Sequence, residues 1–369
     1  MRFICDQTTL VKAINTVSKA VTTRTTIPIL KGILLTLKEN ELTLAASDLE
    51  ISIEKTIMVK GEEEGSLVVS SKLFSDIIRK LPNEDILVYG DEKEPLTIKT
   101  STSEFHIIAL QSEEFPKMVS MEEEKDKVVF EKEMIKDMIR KTAFSASVEE
   151  SKGIIVGVLI EREKESINMV ALDGFRMAVV RQKIENDKED KMIISAKLMN
   201  EISKIIGEEE GEGLVEMFID KKKIFITLDN TKVVLRLLEG EFIKYKDILP
   251  KDKKTKILVN KNLLQDAIER ASLLSREGKN NLVKFTIEDN LLTITSKSEE
   301  GNVKEEIIIE KAGDNLEIGF NHKYILDVIK AVDDEIILME YNTPTSPCMI
   351  KQPENTTYEY LILPVRING

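Results

Sequence analysis

The chain has 369 residues but no tryptophan, only 2 cysteines and 2 histidines, and 5% aromatics. Each scarcity excludes something. Cys5 and Cys348 cannot build a disulfide framework and suit a reducing cytoplasm. His106 and His322 leave a histidine-based metal site or catalytic triad almost without material, so both read as structural or surface residues. Few aromatics mean few platforms on which single-stranded bases would stack. Apolar runs such as 153–160 fall far short of a membrane span, and the opening Met1-Arg2-Phe3-Ile4-Cys5-Asp6 has no signal-peptide pattern, so no membrane role is expected. Gly278-Lys279-Asn280 lacks the upstream glycine and the following hydroxyl of a phosphate-binding loop, and no cofactor is expected. Positive charge is also in deficit. With 53 Lys and Arg against 66 Asp and Glu the net charge is −13, so attraction to a polyanion has to be confined to one surface.

What the chain does contain is repetition. Leu44-Ala45-Ala46-Ser47-Asp48 returns as Val170-Ala171-Leu172-Asp173 and, more weakly, as Leu292-Thr293-Ile294-Thr295-Ser296. Val68-Val69-Ser70-Ser71-Lys72-Leu73 is echoed by Ile193-Ile194-Ser195-Ala196-Lys197-Leu198 and by the segment from Glu317 to Tyr324. Ser112-Glu113-Glu114-Phe115-Pro116-Lys117 is echoed by Glu239-Gly240-Glu241-Phe242-Ile243-Lys244. Units of about 120 residues are large enough to be domains and too long for a solenoid repeat. The expected division is 1–120, 127–250 and 255–369, with polar joints at 118–127 and 251–256. A catalytic site is usually needed once, whereas copying builds a symmetrical surface.

Each unit reads as strand, helix and short strands, twice over. In the first, 2–5 is a strand, and Thr8 or Thr9 is expected to cap a helix with Leu10, Ala13, Ile14, Val17 and Val21 on one face. The second half has Ser71 as the expected cap of a helix carrying Leu73, Phe74, Ile77, Ile78 and Leu81, followed by strands that include 105–110. Sequential strands joined by short turns imply antiparallel sheets with helices on one face, an α+β class of three repeated domains. Asp48 and Asp173, each after a strand, read as turn formers, because the third copy has Ser296 or Lys297 there. Acid runs such as 208–210 and 299–300 read as solvated loops.

The helices also carry paired cations. Lys12 and Lys19, Lys72 and Arg79, Lys197 and Lys204, and Lys323 and Lys330 are each seven residues apart, and Lys136 and Arg140 four apart. These spacings put each pair on one face, expected to lie opposite the buried stripe. Such lysines give sequence-independent phosphate contacts. The first helix of the third unit departs from this, since Asp266 and Glu269 accompany Arg270.

Taken with the triplication, four strings resemble the bacterial sliding clamp, the beta subunit of the replicative DNA polymerase. They are Arg24 to Gly32, Ala171 to Val179, Ile318-Gly319-Phe320-Asn321, and Tyr360 to Arg366. The resemblance covers essentially the whole chain. It implies a non-enzymatic head-to-tail homodimer closing a ring on double-stranded DNA, helices inside and sheets outside, and binding polymerase, clamp loader and repair proteins through a short peptide. DNA-facing candidates are Lys12, Lys19, Lys72, Arg79, Lys136, Arg140, Lys197 and Lys204. Arg24 matches a family DNA-contacting position, and Arg276 and Lys279 lie similarly after the first helix of the third unit. The implied peptide groove comprises Leu172, Gly174, Phe175, Arg176, Met177, Ile243, Ile248, Asn321, Tyr324, Pro347, Ile362, Leu363, Pro364, Val365 and Arg366. The implied dimer seam sets Phe105 and Ile107 against Leu273 and Leu274. The chain departs from the family pattern where Ile243 replaces a proline, at Asp247, and in the extra Asn368-Gly369. On the residues alone two other readings stay open: a triplicated metabolic enzyme with Asp173 and Arg176 catalytic at a domain joint, and an interaction scaffold without DNA.

Overall fold

The computed structural model describes the chain except residues 23, 92–94, 118–126, 185–187, 209–212, 221, 276–280 and 368–369. It divides into two units, one of Met1–Ile135 and Glu201–Leu237, the other of Lys136–Asn200 and Leu238–Gly369. Among the described residues the helices are α1 (Gln7–Ser18), α2 (Ser71–Lys80), α3 (Lys132–Thr142), α4 (Ala196–Glu208), α5 (Lys261–Ser275) and α6 (His322–Ala331). No helix among them is long and apolar enough to cross a membrane.

The apolar spacing in α1 buries Leu10, Ala13, Ile14 and Val17 on one face, each large side chain contributing about 1.5–3 kcal/mol. Its cap differs from the expected threonines. Asp6 is extended and its Oδ2 accepts from the Thr9 amide at 2.8 Å and the Thr9 hydroxyl at 3.0 Å, so the carboxylate ends the strand and starts the helix. Likewise Ser70, not Ser71, caps α2; Ser71 is the first helical residue and is buried.

In the first unit a five-stranded sheet runs Lys60–Glu63, Arg2–Asp6, Asp85–Tyr89, Leu96–Lys99, Glu104–Ile107. A nine-stranded sheet runs Ala109–Leu110, Gly65–Ser70, Gly32–Lys38, Glu41–Ser47, Ile51–Met58, Thr231–Arg236, Lys223–Leu228, Leu214–Asp220, Lys127–Glu131. The expected single strand 105–110 is therefore two, one in each sheet, with Ile108 between them 80% exposed.

The second unit follows the same plan. Its nine-stranded sheet runs Asp190–Ser195, Gly157–Glu163, Ser166–Leu172, Arg176–Lys183, Tyr358–Ile362, Cys348–Lys351, Ile336–Tyr341, Thr255–Asn260, Glu310–Gly313. A four-stranded sheet runs Asn302–Ile308, Leu291–Lys297, Leu282–Glu288, Leu316–Asn321. All these pairings are antiparallel, and the class is α+β as the turn-linked strands imply.

The two halves of a repeat exchange their first strands. Arg2–Asp6 pairs with Asp85–Tyr89 from the second half, while Gly65–Ser70 pairs with Gly32–Lys38 from the first. The same exchange joins Thr255–Asn260 to Ile336–Tyr341 and Leu316–Asn321 to Leu282–Glu288.

Candidate functional site

The basic helix faces are partly neutralised by the chain itself. Lys12, Lys72, Lys197 and Lys204 are exposed, while Lys136 is half-buried. Lys204 lies 2.8 Å from Glu201, and Arg79 lies 2.5 Å from Asp76. Arg140 bonds Asp137 at 2.5 Å, Asp333 at 2.6 Å and the Ala331 carbonyl at 2.9 Å. Burial would lower its pKa, but these carboxylates outweigh burial and raise it.

Lys19 departs most from the expected free cation. It stands at the C-cap of α1, its side chain 12% exposed and its ammonium 2.6 Å from both oxygens of Glu208. The acid run at 208–210, read as a solvated loop, thus supplies a partner at its first residue. Arg24 is exposed, and Arg276 and Lys279 lie outside the described residues. The exposed pairs Arg79–Asp76 and Lys204–Glu201 contribute little, roughly 0–1 kcal/mol each.

The candidate groove belongs to the second unit and starts from a turn. Asp173 Oδ1 accepts from the amides of Phe175 at 2.8 Å and Arg176 at 3.0 Å, and Gly174 takes φ +93°, which its missing Cβ permits. Asp48 makes the equivalent turn with the amides of Glu50 and Ile51, so the turn reading holds at both positions. The turn leaves Phe175 57% exposed, with its ring stacked on Tyr324 at 6.1 Å between centroids.

Arg176 is held from every side. Its Nε bonds Asp173 at 3.0 Å, Nη1 bonds Asp327, and Nη2 donates to the Phe144 carbonyl at 2.8 Å. The guanidinium also lies over the rings of Tyr324 at 4.8 Å and Phe144 at 5.4 Å. A cation so completely engaged ties the Asp173 turn to α6 and to the Phe144 backbone. Burial, with Asp173 and Asp327 adding to it, raises the Tyr324 pKa against the opposing Arg176.

Below the turn, Leu172, Met177, Leu361, Met349 and Tyr245 belong to one buried apolar cluster. Half-buried Ile154, Ile155, Leu238, Phe242 and Leu249 pack on it, and exposed Ile243, Ile248 and Leu363 stand nearby in the chain. The C-terminal segment is fixed by two backbone bonds, from Leu363 to the Phe175 carbonyl and from Val365 to the Gly319 carbonyl, each 2.8 Å. Pro364, between them, has no amide to offer and needs none. Pro347 and Val365 are half-buried and Arg366 exposed.

Two groove residues stand differently from the expectation. Ile362 is fully buried, because strand alternation turns it to the face opposite Leu361. Asn321 accepts from the Lys323 amide at 3.0 Å and thereby caps α6. Conversely Tyr245, Met349 and Leu249 carry no expectation from the sequence, and Phe242 and Leu361 enter it only within the repeated string 239–244 and the C-terminal string 360–366. At the expected seam, Phe105 and Leu273 are exposed and Leu274 half-buried, but Ile107 is buried in its own sheet and offers little surface. His322 is a buried core residue whose Nδ1 lies 2.7 Å from the Ser275 hydroxyl. Among the described residues no three His, Cys, Asp or Glu side chains cluster to hold a metal.

Family models of the DNA polymerase III beta subunit match in series: the N-terminal domain over 1–119, the central domain over 129–244 and the C-terminal domain over 246–366. The beta sliding clamp of Halalkalibacterium halodurans is 34% identical, over 99% of this chain and 100% of its own length. That of Bacillus subtilis is 32% identical, over 99% of this chain and 100% of its own. The crystal structure of the Bacillus subtilis clamp superposes with a TM-score of 0.95 at 32% identity, covering 100% of both chains. A Pseudomonas aeruginosa clamp bound to griselimycin gives 0.92 at 25% identity, again covering 100% of both. The three domain models in series and the full-length similarity agree, and the chain belongs to the DNA polymerase III beta subunit family, the bacterial sliding clamps.

Proposed function

We propose that two copies of this chain close head to tail into a ring around duplex DNA and tether the replicative polymerase, raising its processivity. The observation that carries this reading is similarity to sliding clamps along the entire chain, over three successive domain models. The proposed domains are 1–120, 127–250 and 255–369, two sets of which make a six-domain ring by heterologous closure. Topology then retains the DNA. Lys12, Lys72, Arg79, Lys136, Arg140, Lys197 and Lys204 need only loose phosphate contacts that exchange as the ring moves, with no base readout. Polymerase, clamp loader and repair proteins would dock a short apolar peptide over Leu172, Met177 and Leu363, between the Phe175–Tyr324 stack and Ile243 and Ile248. No catalytic step is assigned to the chain. The two free, buried cysteines fit a cytoplasmic setting.

The test is topological. Protein loaded on a nicked DNA circle is expected to stay bound through gel filtration and to be released when a restriction cut linearises the circle. Retention on the linear form would refute encirclement.

A further inference from the structure

The groove wall at Phe242–Leu249 is a segment without a strand. Beyond the Leu238 amide, which bonds the Ile193 carbonyl at 2.8 Å, its backbone bonds close on itself: Tyr245 to Ile243 at 2.7 Å, Asp247 to Lys244 at 3.0 Å and Ile248 to Tyr245 at 3.1 Å. Side chains tie it to the sheet. The Tyr245 ring enters the apolar cluster beside Leu172, Met177 and Leu361, and its hydroxyl donates to Glu161 Oε2 at 2.6 Å with both residues buried. Glu161 shares a strand face with Leu159, at period two, and so projects into the same layer.

A buried carboxylate costs several kcal/mol unless surrounded by donors. Glu161 has them: Lys191 at 2.7 Å and Asn168 at 3.3 Å, its partners on the two neighbouring strands, and Lys246 at 3.2 Å from the segment itself. Lys246 also bonds Glu163 at 2.7 Å. The carboxylate is thus fixed by the sheet before Tyr245 reaches it, and Tyr245 occupies the middle of the wall. Phe242 and Leu249 pack to either side on the cluster, while Ile243 and Ile248 stay exposed.

We propose that the Tyr245–Glu161 hydrogen bond is the pin that sets the position of this wall, making both residues positioning residues for peptide docking. The proposal rests on the groove reading above. With the pin made, the apolar side chains around Tyr245 are held ready, and an incoming peptide spends none of its binding energy ordering them.

The test uses the full-length protein and a fluorescein-labelled pentapeptide carrying two leucines and a phenylalanine. Tyr245→Phe keeps the ring and removes the donor. It is expected to raise the peptide Kd about tenfold, equivalent to about 1.4 kcal/mol. Amide exchange across 243–249 should accelerate at least about tenfold while 166–172 stays protected. Glu161→Gln, whose amide oxygen still accepts from Tyr245, should fall between the two, and it carries the test if Tyr245→Phe does not fold. Unchanged affinity with unchanged exchange overturns the pin. So does exchange that rises equally in every strand, since that is loss of global stability. If the wild-type protein does not bind the peptide but 243–249 still loosens in the variant, the groove reading fails and the pin stands.

Discussion

Glu161 is a carboxylate that keeps its charge while buried. Burial pushes its pKa upward, but bonds from Lys191, Tyr245 and Lys246 prevail and hold it at about 2. Its folded-state pKa lies below the ordinary 4.5, so its contribution to stability is fully present above that value and is lost as pH falls towards 2. Urea unfolding of the wild type should therefore lose stability between pH 4.5 and pH 2 more steeply than Glu161→Gln; equal slopes would disprove the assignment. The two thiols behave oppositely. Burial, helped by Asp6 and Asp85, pushes Cys5 up to about 12, and burial also raises Cys348, so neither is a reactive thiolate. At this scale the sequence was legible where chemistry is local. Asp173 is a turn former because its carboxylate reaches amides two and three residues ahead. It was not legible where partners are distant: Lys19 meets Glu208 across 189 positions, and Tyr245 meets Glu161 across 84.

Most helix limits were legible to within a residue or two, but Val21, expected on the face of α1, lies past its end at Ser18, and the strand Lys60–Glu63 had no expectation; these limits were set by contacts no local pattern holds. The spacing around Leu10 predicts α1, yet its cap is the last residue of the preceding strand. The alternation over 105–110 fits one strand, but the chain leaves one sheet at Ile107 and enters another at Ala109. Gly319 shows how tightly the C-terminal segment is docked. A Cβ there would sit 2.8 Å from the Val365 carbonyl oxygen and 3.0 Å from Ile367 Cγ1. Gly319→Ala should lift this segment, speed exchange of the Val365 amide and weaken the labelled pentapeptide severalfold, with little effect on the strand Leu316–Asn321. Tight peptide binding with a protected Val365 amide would show that the segment can absorb the methyl group.

For the whole molecule, the charge of −13 extends to the helix faces, where carboxylates of the same chain lie beside Lys19, Arg79 and Lys204 and weaken their pull on a polyanion. Each such pair must open before a phosphate can be bound. Asp76→Asn with Glu201→Gln frees Arg79 and Lys204. DNA retention should then strengthen at low salt, with the slope of log affinity against log salt steepening by up to about 1.8, or about 0.9 for each added phosphate contact. An unchanged slope would count against those two cations as phosphate contacts. The exchange of first strands between halves has a consequence for synthesis on the ribosome. Residues 1–64 emerge with the strand Arg2–Asp6 lacking its neighbour Asp85–Tyr89, and Ile51–Met58 waits for Thr231–Arg236, about 180 positions later. At about 5–20 residues per second that wait is roughly 10–40 seconds. For that interval a nascent chain carries open sheet edges, since the half-repeat visible in the sequence does not complete its own sheets.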